Sequence, residues 1–156
     1  MKTQQLIEAL KQKSMHICCA ESCTGGMLSS TLVGVSGASD VIDMGLVTYA
    51  NSAKIKLLDV DPADIEKYGV VSEAVAGQMA KGACAISGAE VGVGISGIAG
   101  PGGSDFKPEG MVCFGFCING KVTTATVQFG ALGRQNVREK SVEYAIDTLI
   151  TKIEKA

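Results

Sequence analysis

Ser22 is followed by Cys23, then by Thr24, Gly25 and Gly26, small residues whose backbone can turn tightly where a strand gives way to a helix. A serine there can cap the helix. It can also act as a nucleophile beside free helix N–H groups, which stabilise negative charge on an oxyanion or a phosphate. A nucleophilic serine needs a base, and a histidine is not at hand. His16 is the only histidine, it lies at the start of the preceding strand, and the residues around Ser22 do not read Gly-x-Ser-x-Gly. Lys54 is the available alternative, because burial or a nearby cation lowers a lysine's pKa until it can accept a serine proton. Tyr49 can relay the proton or hold a substrate. By position alone Lys54 also fits a solvated surface lysine, as Lys56 does, and spacing does not decide between the two.

Further residues could contact a ligand. Gly97-Ile98-Ala99-Gly100-Pro101-Gly102-Gly103 has the composition of an anion-binding loop. No Gly-Lys-Ser/Thr follows it, as a P-loop requires, and no helix begins there, as a dinucleotide fingerprint requires. It reads as a loop that wraps a small ligand with its backbone, with Gly100 and Gly102 as candidate contacts. Arg134 and Arg138, one helical turn apart, could clamp a phosphate or carboxylate. They fit surface charges too, Arg138 especially, because it faces Glu139 and Glu143. Cys23, beside Ser22 at a helix N-terminus that favours a thiolate, is the one cysteine that could compete as nucleophile, and Ser22 is expected to hold that role instead. Metal ligands at paired spacing are missing. Cys113 and Cys117 alternate within Cys-Phe-Gly-Phe-Cys and read as small core residues on one face of a strand, so no metal is expected.

The elements that must position these residues follow from periodicity. Thr3 can cap a first helix carrying Leu6, Ile7 and Leu10, and residues 15–20 form a buried strand ending at the Ser22 turn. Met27, Leu28, Leu32 and Val33 suit an amphipathic helix. A strand over Val41 to Ala50 then runs into a helix start at Asn51, so Tyr49 and Lys54 flank a second strand-to-helix junction. Asp61-Pro62 and Ser72 start two more helices, the second with Val75, Met79 and Ala83 inward. Val91 to Ser96 is a glycine-thinned strand. Met111 to Ile118 and Val122 to Phe129, joined at Asn119-Gly120, form a hairpin. Arg134 to Lys155 is a last helix with Val137, Val142, Ala145, Ile146, Leu149, Ile150 and Ile153 on one face. Helices alternating with strands imply an α/β domain with a mixed β-sheet covered by helices.

Composition bounds the function. The 156 residues are 46% hydrophobic, with a mean hydropathy of +0.26, which fits one domain over residues 1–156. Fourteen Lys and Arg against sixteen Asp and Glu, 4% aromatic residues and no Trp argue against nucleic-acid binding, which needs basic excess and stacking surfaces. No apolar run reaches the roughly 18 residues of a membrane span. Six cysteines without an apolar leader at the N-terminus read as reduced thiols of a cytoplasmic protein.

Taken in order, Ala20-Glu21-Ser22-Cys23-Thr24-Gly25-Gly26, Tyr49-Ala50-Asn51 with Lys54, Gly69-Val70-Val71-Ser72-Glu73, Gly97 to Gly103, and Gly133-Arg134 with Val137-Arg138 resemble the CinA C-terminal domain family. The likeness runs from about Leu6 to Ile150 and looks like the stand-alone form. It implies hydrolysis of the carboxamide of nicotinamide mononucleotide to nicotinic acid mononucleotide and ammonia, without metal or cofactor. The partners implied are a small mononucleotide substrate and further copies of the chain, a homo-oligomer, with no nucleic acid and no membrane. By motif, Ser22 resembles the nucleophile and Lys54 its base, with Tyr49 beside them. Thr24, Gly25, Gly26, Ser39, Ser96, Gly100, Gly102 and one of Arg134 and Arg138 are expected at the substrate. Ser96 stands where the family usually has Thr before the glycine loop. Ala131-Leu132-Gly133-Arg134 lacks the family's Gly-Asp-Arg, which leaves the choice of arginine open. Two other readings share these residues: a nucleotide-binding or regulatory module without turnover, and an amidase for another carboxamide.

Overall fold

The computed structural model describes residues 1–104 and 106–156. Its elements are α1 (Lys2–Gln12), β1 (Ile17–Glu21), α2 (Met27–Val33), β2 (Ile42–Val47), α3 (Asn51–Leu58), α4 (Pro62–Tyr68), α5 (Glu73–Ser87), β3 (Val91–Gly97), β4 (Met111–Ile118), β5 (Lys121–Gln128) and α6 (Arg134–Glu154). The five strands form one mixed sheet in the order β2-β1-β3-β4-β5, parallel across β2, β1 and β3 and antiparallel from β3 to β5. Helices cover both faces, so the expected α/β architecture is present.

Residue alternation assigns the faces. Ile17, Cys19, Val93, Ile95, Phe114 and Phe116 pack with the buried sides of α1, α2 and α6. Cys18 and Ala20 point the other way, to Val75, Met79 and Ala83 of α5. On that second face the strands carry Gly92, Gly94 and Gly115, where a Cβ would collide with the α5 main chain at Ala80, Ala76 and Ala76 respectively. The glycines that thin β3 therefore let a helix backbone lie directly on the sheet. Cys113 and Cys117 are buried in β4, as expected of small core residues, and all six cysteines are free thiols.

Caps and turns agree with the sequence in three places. Asp61 accepts the Ala63 N–H, Ser72 accepts the Val75 N–H, and Asn119 and Gly120 both have positive φ at the hairpin tip. Two expectations need correction. Thr3 is not the first cap: α1 begins two residues earlier than that cap would start it, with Met1 in the cap position and no capping side chain, its exposed first turn being left to solvent. Nor does Ser22 cap α2. Gly26 occupies that cap position, and the buried Glu21 carboxylate takes the Leu28 and Ser29 N–H groups at 2.8 and 2.9 Å.

Chain order also locates a crevice. From β1 the chain moves outward through α2 to β2, then returns across the other face through α3, α4 and α5 to β3 on the far side of β1. The loops after β1 and β3 leave in different directions, and in open α/β sheets ligands bind outside the strand C-termini at such a reversal.

Candidate active site

Ser22 leaves the C-terminal end of β1, held by its own main chain. Its N–H donates to Ile95 O on β3 at 3.0 Å and its carbonyl accepts the Gly25 N–H at 3.1 Å. Below it, the Glu21 carboxylate receives four hydrogen bonds, from Thr24 Oγ1, Leu28 N, Ser29 N and Ser29 Oγ. From the side, Arg138 Nε and Nη2 donate to the carbonyls of Cys23 and Thr24, both at 3.0 Å. Strand, carboxylate and guanidinium together fix the turn, leaving the Ser22 side chain at the wall of a cavity of about 300 Å³.

Lys54, in the first turn of α3, is fully buried. Its Nζ donates to Ser22 Oγ at 3.0 Å, Thr48 O at 2.7 Å and Tyr49 O at 3.2 Å, and no carboxylate pairs with it among the described residues. Burial lowers its pKa from the ordinary 10.5 to about 8, against a smaller raising effect of Cys23. The two carbonyls can only accept. A neutral amine therefore spends its two N–H bonds on them and turns its lone pair to Ser22, while the ammonium turns its third N–H there. Loss of one proton reverses the hydrogen bond, so that the serine hydroxyl donates to nitrogen. The pair can thus shuttle one proton between a nucleophile and its environment. The surface-lysine reading of Lys54 is overturned by this burial.

The remaining candidates separate. Tyr49 is 62% exposed at the cavity, and its phenolic oxygen accepts from Arg134 Nη2 at 3.0 Å, leaving its own O–H to donate. Arg134 also donates to Gly100 O at 2.6 Å. Gly100 and Gly102 line the cavity, and the Glu109 carboxylate straps this loop by accepting from Gly102 N at 2.7 Å and Gly133 N at 3.3 Å. The two arginines do not form a clamp. Arg134 belongs to the cavity, whereas Arg138 lies behind the Ser22 turn and faces neither Glu139 nor Glu143 in its hydrogen bonds. Thr24, Gly25 and Gly26 shape the turn rather than the cavity wall, with both glycines at positive φ. Ser96 is buried and its hydroxyl donates to Val70 O at 2.8 Å. Ser39 lies before β2, at the end of the sheet away from Ser22, exposed in a short 3-10 turn over Ala38–Asp40. His16 is at that far end too, 3.0 Å from Asp43.

The charges around Ser22 follow from this geometry. The α2 N–H groups of Leu28 and Ser29 are filled by the chain's own Glu21 and so are not free to stabilise substrate charge. Cys23 does not carry an activated thiol: burial raises its pKa from 9.0 to about 11, and the charges of Arg138 and Arg134 offset only part of that. Three residues escape sequence reading: Glu21, Glu109 and Lys107, the last a second cation at the cavity. Apart from Thr24, three residues from Glu21, their side-chain partners are seven to thirty-nine residues away, beyond any local pattern.

A mixed sheet with a crevice at the strand-order switch, and a serine in its wall backed by a buried lysine, define the class as an α/β protein with a cleft site; the chain belongs to the CinA C-terminal domain family, whose family model matches residues 1–153. Among its relatives, the nicotinamide-nucleotide amidohydrolase PncC of Enterobacter agglomerans is 45% identical over 91% of this chain and 87% of its own length. A CinA-like protein of Kosmotoga olearia is 39% identical over 91% of this chain. The chain spans about a third of the length of that relative and of several others it matches. Among solved structures, a competence-damaged protein (CinA) superfamily protein from Klebsiella pneumoniae superposes with a TM-score of 0.96 at 31% identity, covering 99% of this chain and 97% of that one. Another from Enterobacter cloacae gives 0.94 at 39% identity, covering 97% and 90%.

Proposed function

We propose that this protein hydrolyses the carboxamide of nicotinamide mononucleotide, giving nicotinic acid mononucleotide and ammonia, a step that recycles pyridine nucleotides. The observation that carries this reading is the 3.0 Å contact between Lys54 Nζ and Ser22 Oγ, with the ammonium buried, short of a carboxylate partner and depressed to about pKa 8. The amidohydrolase relative supports the substrate class.

In this reading neutral Lys54 takes the Ser22 proton as Oγ attacks the amide carbon, and the tetrahedral oxyanion forms in the cavity. An amide nitrogen is a poor leaving group, so it departs only when protonated. Lys54 returns its proton, or the Tyr49 hydroxyl donates one, and ammonia leaves. Water then attacks the Ser22 ester with Lys54 again as base, freeing the acid and restoring the serine. Arg134 orients Tyr49 through its 3.0 Å bond and steadies the glycine loop.

The test is ammonia release from nicotinamide mononucleotide by purified protein, with and without a strong chelator. Release that is equal in both conditions is expected. A protein that binds the mononucleotide without releasing ammonia would be the binding module instead. Activity abolished by the chelator and restored by zinc or magnesium would contradict the serine–lysine mechanism.

A further inference from the structure

Lys107 is left without a task by the reaction just described. It follows the glycine loop, and paired hydrogen bonds with Ser104 fix its backbone, Ser104 N to Lys107 O at 2.9 Å and Lys107 N to Ser104 O at 2.7 Å. Its Nζ donates to the carbonyls of Tyr68, at 2.8 Å, and Val71. Those are two of the three N–H bonds of an ammonium. Carbonyl dipoles hold the cation in place without neutralising it, and Lys107 forms no ion pair among the described residues.

The cavity it lines has a distinct charge. Lys107 and Arg134 are both in the wall, and no carboxylate side chain lines it among the described residues. This is notable in a chain whose formal net charge is -2. The two cations also differ in what they have left to give. Arg134 spends Nη1 on Gly100 O and Nη2 on the Tyr49 hydroxyl, which ties it to the part of the cavity next to Ser22 and Lys54. Lys107 is anchored instead on the segment between α4 and α5. A neutral carboxamide has no need of a cation there, whereas a phosphomonoester dianion attached to the same ligand would find a fixed ammonium with one N–H to spare.

We propose that Lys107 is the specificity-determining residue that recognises the ligand's phosphomonoester and so distinguishes a nucleotide from the corresponding nucleoside. The proposal rests on the amidase reading, and its test separates the two. Ammonia release is measured for wild type, Lys107→Gln and Lys107→Met on nicotinamide mononucleotide and on nicotinamide riboside, which keeps the carboxamide and ribose but lacks the phosphate. Lys107→Gln retains two N–H donors for the carbonyls without the charge. It is expected to lower kcat/KM for the mononucleotide by about tenfold or more, chiefly through KM, since a charge-assisted contact is lost. Turnover of the riboside should stay within about twofold of wild type, the size of change expected when no contact is removed. Lys107→Met should give the same pattern. Losses equal on both substrates would mean that Lys107 only braces the loops, and unchanged kinetics on both would mean that it does nothing for the phosphate; either result overturns the proposal. Should wild type hydrolyse neither substrate, the amidase reading fails, and calorimetry with nicotinic acid mononucleotide decides the role of Lys107. Binding weakened about tenfold in Lys107→Gln then supports it, and unchanged binding overturns it.

Discussion

A buried ammonium with only carbonyls and a hydroxyl around it is held closer to neutrality than one on the surface, and Lys54 is placed so that its neutral form has a use. Folding supplies the desolvation, and the Thr48 and Tyr49 carbonyls supply the orientation. Ser22 and Cys23 sit side by side at the same cavity, yet their chemistry diverges because only Ser22 has the lysine. With its pKa raised to about 11, Cys23 stays a thiol at neutral pH. Cys23→Ala should therefore keep ammonia release within about threefold of wild type, whereas Ser22→Ala should lose roughly a thousandfold or more. A Cys23→Ala loss as deep as that of Ser22→Ala would move the nucleophile to sulfur. The serine and lysine were legible as a candidate pair because both flank strand-to-helix junctions. Lys54 burial was not legible, because it depends on the packing of α3 against α5 and on loop carbonyls from outside the helix.

Between residue and fold stand the turns and contacts that hold the site still. Periodicity made the buried faces of α5 and α6 readable, and Asn119-Gly120 marked the hairpin, because those signals are local. The Glu21 cap on α2 was not readable because it comes from the preceding strand rather than from a residue next to the helix start, and the Arg138 strap on the Ser22 turn was not because it joins elements distant in sequence. Two glycines where helix meets sheet differ in what surrounds them. At Gly94 an added methyl would meet Ala76 and Ala80 main chain and Met79 Cβ. At Gly77, within α5, it would meet the Thr124 and Val122 methyl groups at 3.1 and 3.3 Å, which can move. Gly94→Ala should lower the unfolding free energy by about 3 kcal/mol, as overpacking against an unyielding backbone does. Gly77→Ala should stay within about 1 kcal/mol of wild type, its helix propensity gain offsetting the crowding. Urea denaturation that ranks the two variants equally would contradict this packing of helix on sheet.

Across the whole molecule, the sheet order gathers distant stretches of sequence into one crevice. Ser22 follows β1, the glycine loop follows β3, and Arg134 begins α6, so that the last helix closes a site begun by the first strand. The α/β class and the mixed sheet were legible from alternating periodicities, and the position of the site followed once β1 was seen to lie between β2 and β3. Ser39 lies at the other end of the sheet from Ser22, because the strand that follows it carries the chain toward the site rather than starting there. Every part of the proposed reaction converges on Lys54 becoming neutral. The most direct measurement is the pH dependence of ammonia release from nicotinamide mononucleotide by wild type and Lys54→Arg. Wild-type turnover should rise as pH passes through about 8 and then level, because the deprotonated amine is the active form. Lys54→Arg should bind the mononucleotide yet lose about a thousandfold or more in turnover at every pH, since guanidinium keeps its proton. Turnover of Lys54→Arg within about tenfold of wild type, a barrier change of only about 1.4 kcal/mol, would contradict a lysine base.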